Sequence, residues 1–429
     1  MIVGTFRQNG LVYTDHVIEV PLDHDRPDGP RIEVFAREVV AAAKADAGLP
    51  RLLFLQGGPG GKALRPPGRG GWIGRALEEH RVVLLDQRGT GRSTPVNRQT
   101  LASAGGPAEQ AAYLAHFRAD SIVRDAEALR HEINGGRPWS TLGQSYGGFI
   151  TMTYLSLAPE GLRRSFVTGG LPTLTGTAED VYRLTFDRTL EKNEAYFARH
   201  PGDRELCARI AEHLRDRDVR LPTGERLSPR RFQSLGLGLG TRSGFDSLHF
   251  LLEEAFVTGA NGPELSDTFL AGVQDAVSVA PRPLYAVFQE LIYAQGGATR
   301  WAAERAYRER PEFGLSGDVP FAFTGEMFFP FHFDEDPALV PLREAAHLLA
   351  EKADWPLLYD LGRLRSNDVP VYAAVYHGDM FVPREYSLET AAAVRGLTPW
   401  ITNEYEHDGL KEGPAVLGRL LDMAARDGS

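Results

Sequence analysis

Two stretches near the start of the chain alternate apolar and polar residues, LVYTDHVIEVPL at 11–22 and RIEVFAREVV at 31–40, with a turn rich in Asp, Pro and Gly between them. That pattern predicts strand pieces separated by a turn. Further on the pattern changes. Leu52–Leu55 and Val82–Leu85 are short, continuous apolar runs, and each ends in glycine-rich sequence, QGGPGG at 56–61 and DQRGTGRS at 86–93. Such runs suit strands buried on both faces of a parallel sheet. Residues 120–133 carry Ile122, Val123, Ala126, Leu129 and Ile133 at helical spacing. A strand is then expected at Ser140–Gly143, an apolar helix from Gly147 onward, and another strand at Ser165–Thr168. Strand, helix and strand in alternation predict an α/β fold, a mostly parallel sheet flanked by helices.

The rhythm breaks at about Leu174. From there to Leu339 the sequence reads as helical or irregular, with no recurring strand–helix unit. This stretch holds a low-complexity patch, LGLGLGT at 235–241, and a cluster of aromatics between 321 and 333. The sheet pattern returns at Val369–Tyr376 and Trp400–Tyr405. The chain therefore reads as one α/β domain in two pieces, 1–173 and 341–429, with a large, mainly helical cap over 174–340. No internal repeat is visible.

Composition narrows the function. At 429 residues, 42% hydrophobic and 24% charged, the chain has a soluble globular composition and room for a large core with an insertion. A formal charge of −10 argues against nucleic acid or an anionic membrane surface as the main partner. No run of apolar residues is long enough to span a bilayer, and MIVGTFRQNG does not read as a secretory leader. Cys207 is the single cysteine, so neither an internal disulfide nor a zinc–cysteine cluster can form. A cytoplasmic enzyme is the expectation.

Gly143-Gln144-Ser145-Tyr146-Gly147 matches the nucleophile elbow G-x-S-x-G. The motif alone is weak, but here it lies between a short strand and an apolar helix, where an elbow must sit. A serine hydroxyl needs a neighbouring base to become nucleophilic. In the α/β-hydrolase fold the acid and then the histidine follow on loops after later strands. The two late strands run into His377-Gly378-Asp379 and Glu406-His407-Asp408. Ser145 is thus the expected nucleophile, His407 the general base and Asp379 the residue that orients it. Acyl transfer also needs donors for the oxyanion. The backbone N–H of Tyr146 is one candidate and Gly58, in the loop after the early strand, is the other.

Other readings of the glycine-rich loops fail. Gln56 and Ala63 break the P-loop spacing, and neither loop gives G-x-G-x-x-G opening a helix, so a nucleotide cofactor is not implied. No HExxH occurs, so no metal site is implied either. Arg88 and Arg92 read as structural, holding with Asp86 the loop after the second apolar run near the oxyanion loop.

Together QGGPG at 56–60, DQRGTGRS at 86–93, GQSYGG at 143–148 and the aspartate and histidine loops resemble the proline iminopeptidase (prolyl aminopeptidase) family of α/β-hydrolases. Gln56 departs from the histidine of the family's shorter branch, and the cap length suggests its longer one. The resemblance implies a serine aminopeptidase that releases an N-terminal residue, preferentially proline, from peptides with a free amino terminus, without a cofactor. It also implies cap glutamates for the substrate's ammonium group, for which Glu290 and Glu326 are the matching positions. Each also reads as an ordinary surface or salt-bridged glutamate. Phe328, Phe329, Phe331 and Phe333 read as a pocket wall for a proline ring or, for most of them, as cap core. The rival readings are a capped esterase or amidase of the same fold and a noncatalytic binding protein on its scaffold.

Overall fold

The computed structural model describes residues 1–260 and 262–427. The first strands are β1 (Ile2–Gln8), β2 (Leu11–Pro21), β3 (Arg31–Ala41), β4 (Arg51–Leu55), β5 (Arg81–Leu85), β6 (Trp139–Gln144) and β7 (Leu162–Thr168). A hairpin, β8 (Phe256–Gly259) and β9 (Gly262–Leu265), follows in the cap, and β10 (Val371–Tyr376) and β11 (Leu397–Thr402) close the series. Nine of them form one sheet in the order β1-β2-β3-β5-β4-β6-β7-β10-β11. The first three strands pair antiparallel, and from β5 to β11 every neighbouring pair is parallel.

Burial explains why the inner strands read as apolar runs. In β4, Leu53 and Leu55 belong to one apolar cluster, while Leu52 and Phe54 belong to another. Val83 and Leu85 of β5 repeat this against Val82 and Leu84. Helices Ala119–Asn134 and Tyr146–Leu157 cover the first face, and Gly71–Ala76 and Ala415–Asp427 cover the second. With both faces dry, alternation disappears. Strand β1 escaped the sequence reading for the opposite reason. It lies at the edge of the sheet with mostly exposed side chains, so no apolar signature marks it.

The insertion is built of helices, among them Ala178–Arg199, Pro201–Asp216, Gly244–Glu253 and Asp267–Val277. The β8–β9 hairpin is the strand pair within it. It is a two-stranded unit separate from the main sheet, too short to carry a periodic pattern. An apolar cluster joins Leu114 and Phe117, before the cap, to Leu284 and Phe333 within it and Leu349 after it. The sheet itself resumes only at Val371. Among the described residues no helix is long and apolar enough to cross a membrane. The loops after β4, β6, β10 and β11 all leave the carboxyl edge of the parallel strands, where ligands bind in open α/β sheets.

Candidate active site

Ser145 joins β6 to the helix Tyr146–Leu157 with φ 55° and ψ −124°, a conformation non-glycine residues rarely adopt. The backbone is pinned on both sides: the Ser145 N–H donates to the Thr168 carbonyl at 2.9 Å, and its own carbonyl accepts the Gly148 N–H at 2.7 Å. Gly147 is glycine because the turn passes against β4, where a Cβ would lie 1.9 Å from the Leu55 carbonyl oxygen.

His407 follows β11 and Asp379 follows β10. The imidazole Nδ1 pairs with Asp379 Oδ2 at 2.7 Å, leaving Nε2 as the free ring nitrogen. The other carboxylate oxygen of Asp379 accepts the N–H groups of Phe381 at 2.8 Å and Val382 at 3.1 Å, so the acid is fixed before it fixes the histidine. The ring of Phe381 stands edge-on to His407 with centroids 4.8 Å apart. Burial pulls the His407 pKa down, but the Asp379 carboxylate, assisted by Glu326, outweighs it and leaves the imidazole above its ordinary value.

Ser145 and His407 share the wall of a cavity of about 520 Å³ with Gly57, Gly58, Tyr285 and Glu326. At Gly57 a Cβ would lie 2.9 Å from Ser145 Cβ, so the glycine loop rests directly on the serine. Tyr146 turns its side chain into the core and opens the following helix, where the first backbone N–H groups have no intrahelical acceptor. This arrangement puts a serine hydroxyl, an oriented imidazole and a glycine loop around one space.

The cap descends onto the same loop. Added to Gly60, a Cβ would come within 2.6 Å of the Tyr285 backbone nitrogen. That contact brings in the short helix Pro283–Phe288, from which the Tyr285 hydroxyl donates to Glu326 Oε1 at 2.5 Å. Burial raises the Glu326 pKa, against the opposing pull of His407 and Tyr285.

Glu290, the other position matched to the ammonium group, is placed differently. It does not line the cavity. Its Oε2 accepts the Ala303 N–H at 3.0 Å, at the start of the helix Ala302–Arg308, while burial raises its pKa. Five residues beyond Tyr285 at helical pitch is a rotation of about 140°, so when Tyr285 faces the cavity Glu290 faces away. The phenylalanine cluster is largely packing. Phe329 and Phe333 are core residues, Phe331 stacks on His332 at 4.1 Å, and Phe328 meets Tyr285 edge-on at 5.0 Å. The aromatics on the cavity wall are Tyr285 and Phe381, neither of which carries a motif.

The DQRGTGRS loop divides its labour. Asp86 accepts the N–H groups of Ala63 at 3.1 Å and Arg92 at 2.9 Å and pairs with Arg65, tying the segment after the glycine loop in place. Arg88 turns away instead, into a buried bidentate pair with Asp125 at 2.6 and 2.7 Å. Arg92 pairs with Asp15 at 2.8 Å. Among the described residues one group has metal-ligand spacing, His200, Asp203 and His249 in the cap, and none of the three lines the cavity.

The fold and the cavity together define a capped α/β-hydrolase, and residues 50–255 match the family described as alpha/beta hydrolase fold. The chain is 49% identical over 417 residues to a proline iminopeptidase of Aeromonas sobria, covering 97% of each protein. It is 35% identical over 404 residues to a proline iminopeptidase of Aspergillus aculeatus, covering 92% of this chain and 89% of that protein. A tripeptidyl aminopeptidase of Streptomyces lividans is 26% identical over 183 residues, covering 35% of this chain and 34% of that protein. The chain belongs to the proline iminopeptidase family of α/β-hydrolases.

Proposed function

We propose that this enzyme releases an N-terminal proline from peptides through an acyl-enzyme formed on Ser145. As Ser145 Oγ attacks the carbonyl carbon of the N-terminal residue, His407 Nε2 takes its proton. The backbone N–H groups at Gly58 and Tyr146 receive the negative charge on the carbonyl oxygen, a contribution of about 2.7–4 kcal/mol per donor in a comparable site. The protonated imidazole, held by Asp379, then delivers the proton to the leaving amine. Water enters by the same base, and hydrolysis of the ester frees the proline and restores Ser145.

The observation that carries this reading is Glu326, a half-buried carboxylate on the same cavity wall as Ser145 and His407. A free α-amino group is largely cationic near neutral pH and needs such a partner when it leaves water. Tyr182 and Tyr293 are buried cap rings whose pKa values burial raises, with Glu290 and then Glu326 among the charges that add to the effect at Tyr182, and Glu326 at Tyr293. A chain whose amino end is held at Glu326 presents its first peptide bond to Ser145, which lines the same cavity.

The test is a panel of aminoacyl anilides, each with its amino terminus free and acetylated, on the wild type and Ser145→Ala. Prolyl anilide should be cleaved fastest, acetylation should abolish cleavage, and the variant should lose kcat by several orders of magnitude. Equal rates on acetylated substrates would make the enzyme a capped amidase or esterase instead.

A further inference from the structure

A second cavity, of about 530 Å³, lies against the first. The two share Gln56, Leu64, Gln144 and Lys411 on their walls. None of the residues at the cap end of the first cavity, Arg282, Tyr285 or Glu326, reaches the second. Its own walls are apolar, formed by Phe54, Pro66, Pro67, Trp72, Ile73 and Leu410. Its one charged lining residue, Lys411, is exposed and stands where the cavities meet. Trp72 and Ile73 are buried members of the core under the sheet, and the Trp72 ring packs on Phe54 with centroids 4.6 Å apart. The space is built into the hydrolase domain and does not depend on the cap for its walls.

We infer that this cavity is the subsite for an apolar side chain on the leaving peptide, at the residue directly after the scissile bond. The inference rests on the reading of Glu326 as the amino-group site, because that reading gives the substrate its direction. With the ammonium at Glu326 and the carbonyl at Ser145, the remaining chain runs away from the cap, past Gln56 and Gln144. That path leads into the second cavity. A leucine or phenylalanine side chain there exchanges water for apolar contact. A carboxylate or amide side chain loses its hydration and finds few partners in return.

The experiment is a series of dipeptide amides, Pro-Gly, Pro-Ala, Pro-Leu, Pro-Phe and Pro-Asp, on the wild type and on Gly68→Leu and Gly70→Leu. Both glycines line the cavity, and an added Cβ at either meets nothing within 4 Å, so a larger side chain enters open space. In the wild type kcat/KM should rise about 10- to 150-fold from the glycine to the leucine or phenylalanine amide, the gain expected for burying such a side chain. Pro-Asp should be the poorest. Filling the cavity should flatten the series while Pro-Gly is cleaved at nearly the wild-type rate. A flat series in the wild type, or a slope that survives both fillings, overturns the inference. Running each amide free and acetylated separates the two readings. Cleavage of acetylated amides would sink the role of Glu326, while the dependence on the second residue would still report on the cavity.

Discussion

The Tyr285 hydroxyl donates to Glu326 at 2.5 Å, and through that bond the cap sets a carboxylate on the wall that Ser145 and His407 share. Tyr285 reaches this position because Gly60 lets the cap helix rest on the glycine loop of the hydrolase domain. In the proposed function, one loop thus couples recognition of the amino terminus to formation of the acyl-enzyme.

The two cap glutamates should separate on mutation. Glu326→Gln removes a charge-assisted contact to the substrate and should lower kcat/KM for prolyl anilide by roughly 10- to 150-fold. A small neutral ester without an amino group should still be hydrolysed at close to the wild-type rate. Glu290→Gln, whose carboxylate serves Ala303, should leave the preference for a free amino terminus intact. Steady-state kinetics on both substrates make the comparison.

The acid limb of the pH profile follows from His407. Only the neutral imidazole accepts the serine proton, and the pKa lies above the ordinary 6.5. Activity should therefore fall on the acid side as pH drops through a midpoint above that value. Glu326 is among the charges that raise this pKa, so Glu326→Gln should move the limb to lower pH. A limb that stays put would remove Glu326 from the electrostatics of the base.

Gly240 belongs to the low-complexity patch. Its carbonyl accepts the His407 N–H at 3.2 Å, and a Cβ there would lie 2.2 Å from the tip of the Phe381 ring. Gly240→Ala should push Phe381 against His407 and cost about 100-fold in kcat, as small displacements of catalytic groups do. Labelling of Ser145 by a fluorophosphonate should slow in proportion, while circular dichroism stays unchanged.

Arg88 tests the structural side of DQRGTGRS. Its guanidinium is fully buried against Asp125, so Arg88→Ala leaves that buried carboxylate with only His24 as a side-chain partner. A loss of about 3–5 kcal/mol is expected, read as an earlier denaturation midpoint in urea. Replacing Arg92, whose side chain is half exposed beside Asp15, should cost no more than about 1 kcal/mol.

Local sequence determined most of the hydrolase domain. Apolar runs ending in glycine mark β4 and β5, because strands covered on both faces need continuous apolar residues and sharp exits. The Ser145 elbow is legible since its glycines answer to contacts within one turn and the neighbouring strand. Asp379 and His407 were legible as loops after strands, though β11 ends at Thr402, earlier than the apolar pattern suggested. What only the tertiary structure decided lies in the cap. Glu290 and Glu326 look alike in sequence, each a glutamate among aromatics. Tyr285, Phe381 and Gly240 carry no motif at all. Which of these face Ser145 depends on how short helices more than a hundred residues away in sequence settle on the glycine loop. That is fixed by packing across the cap boundary, by Gly60 against Tyr285 and Gly240 against Phe381, contacts that no periodicity records.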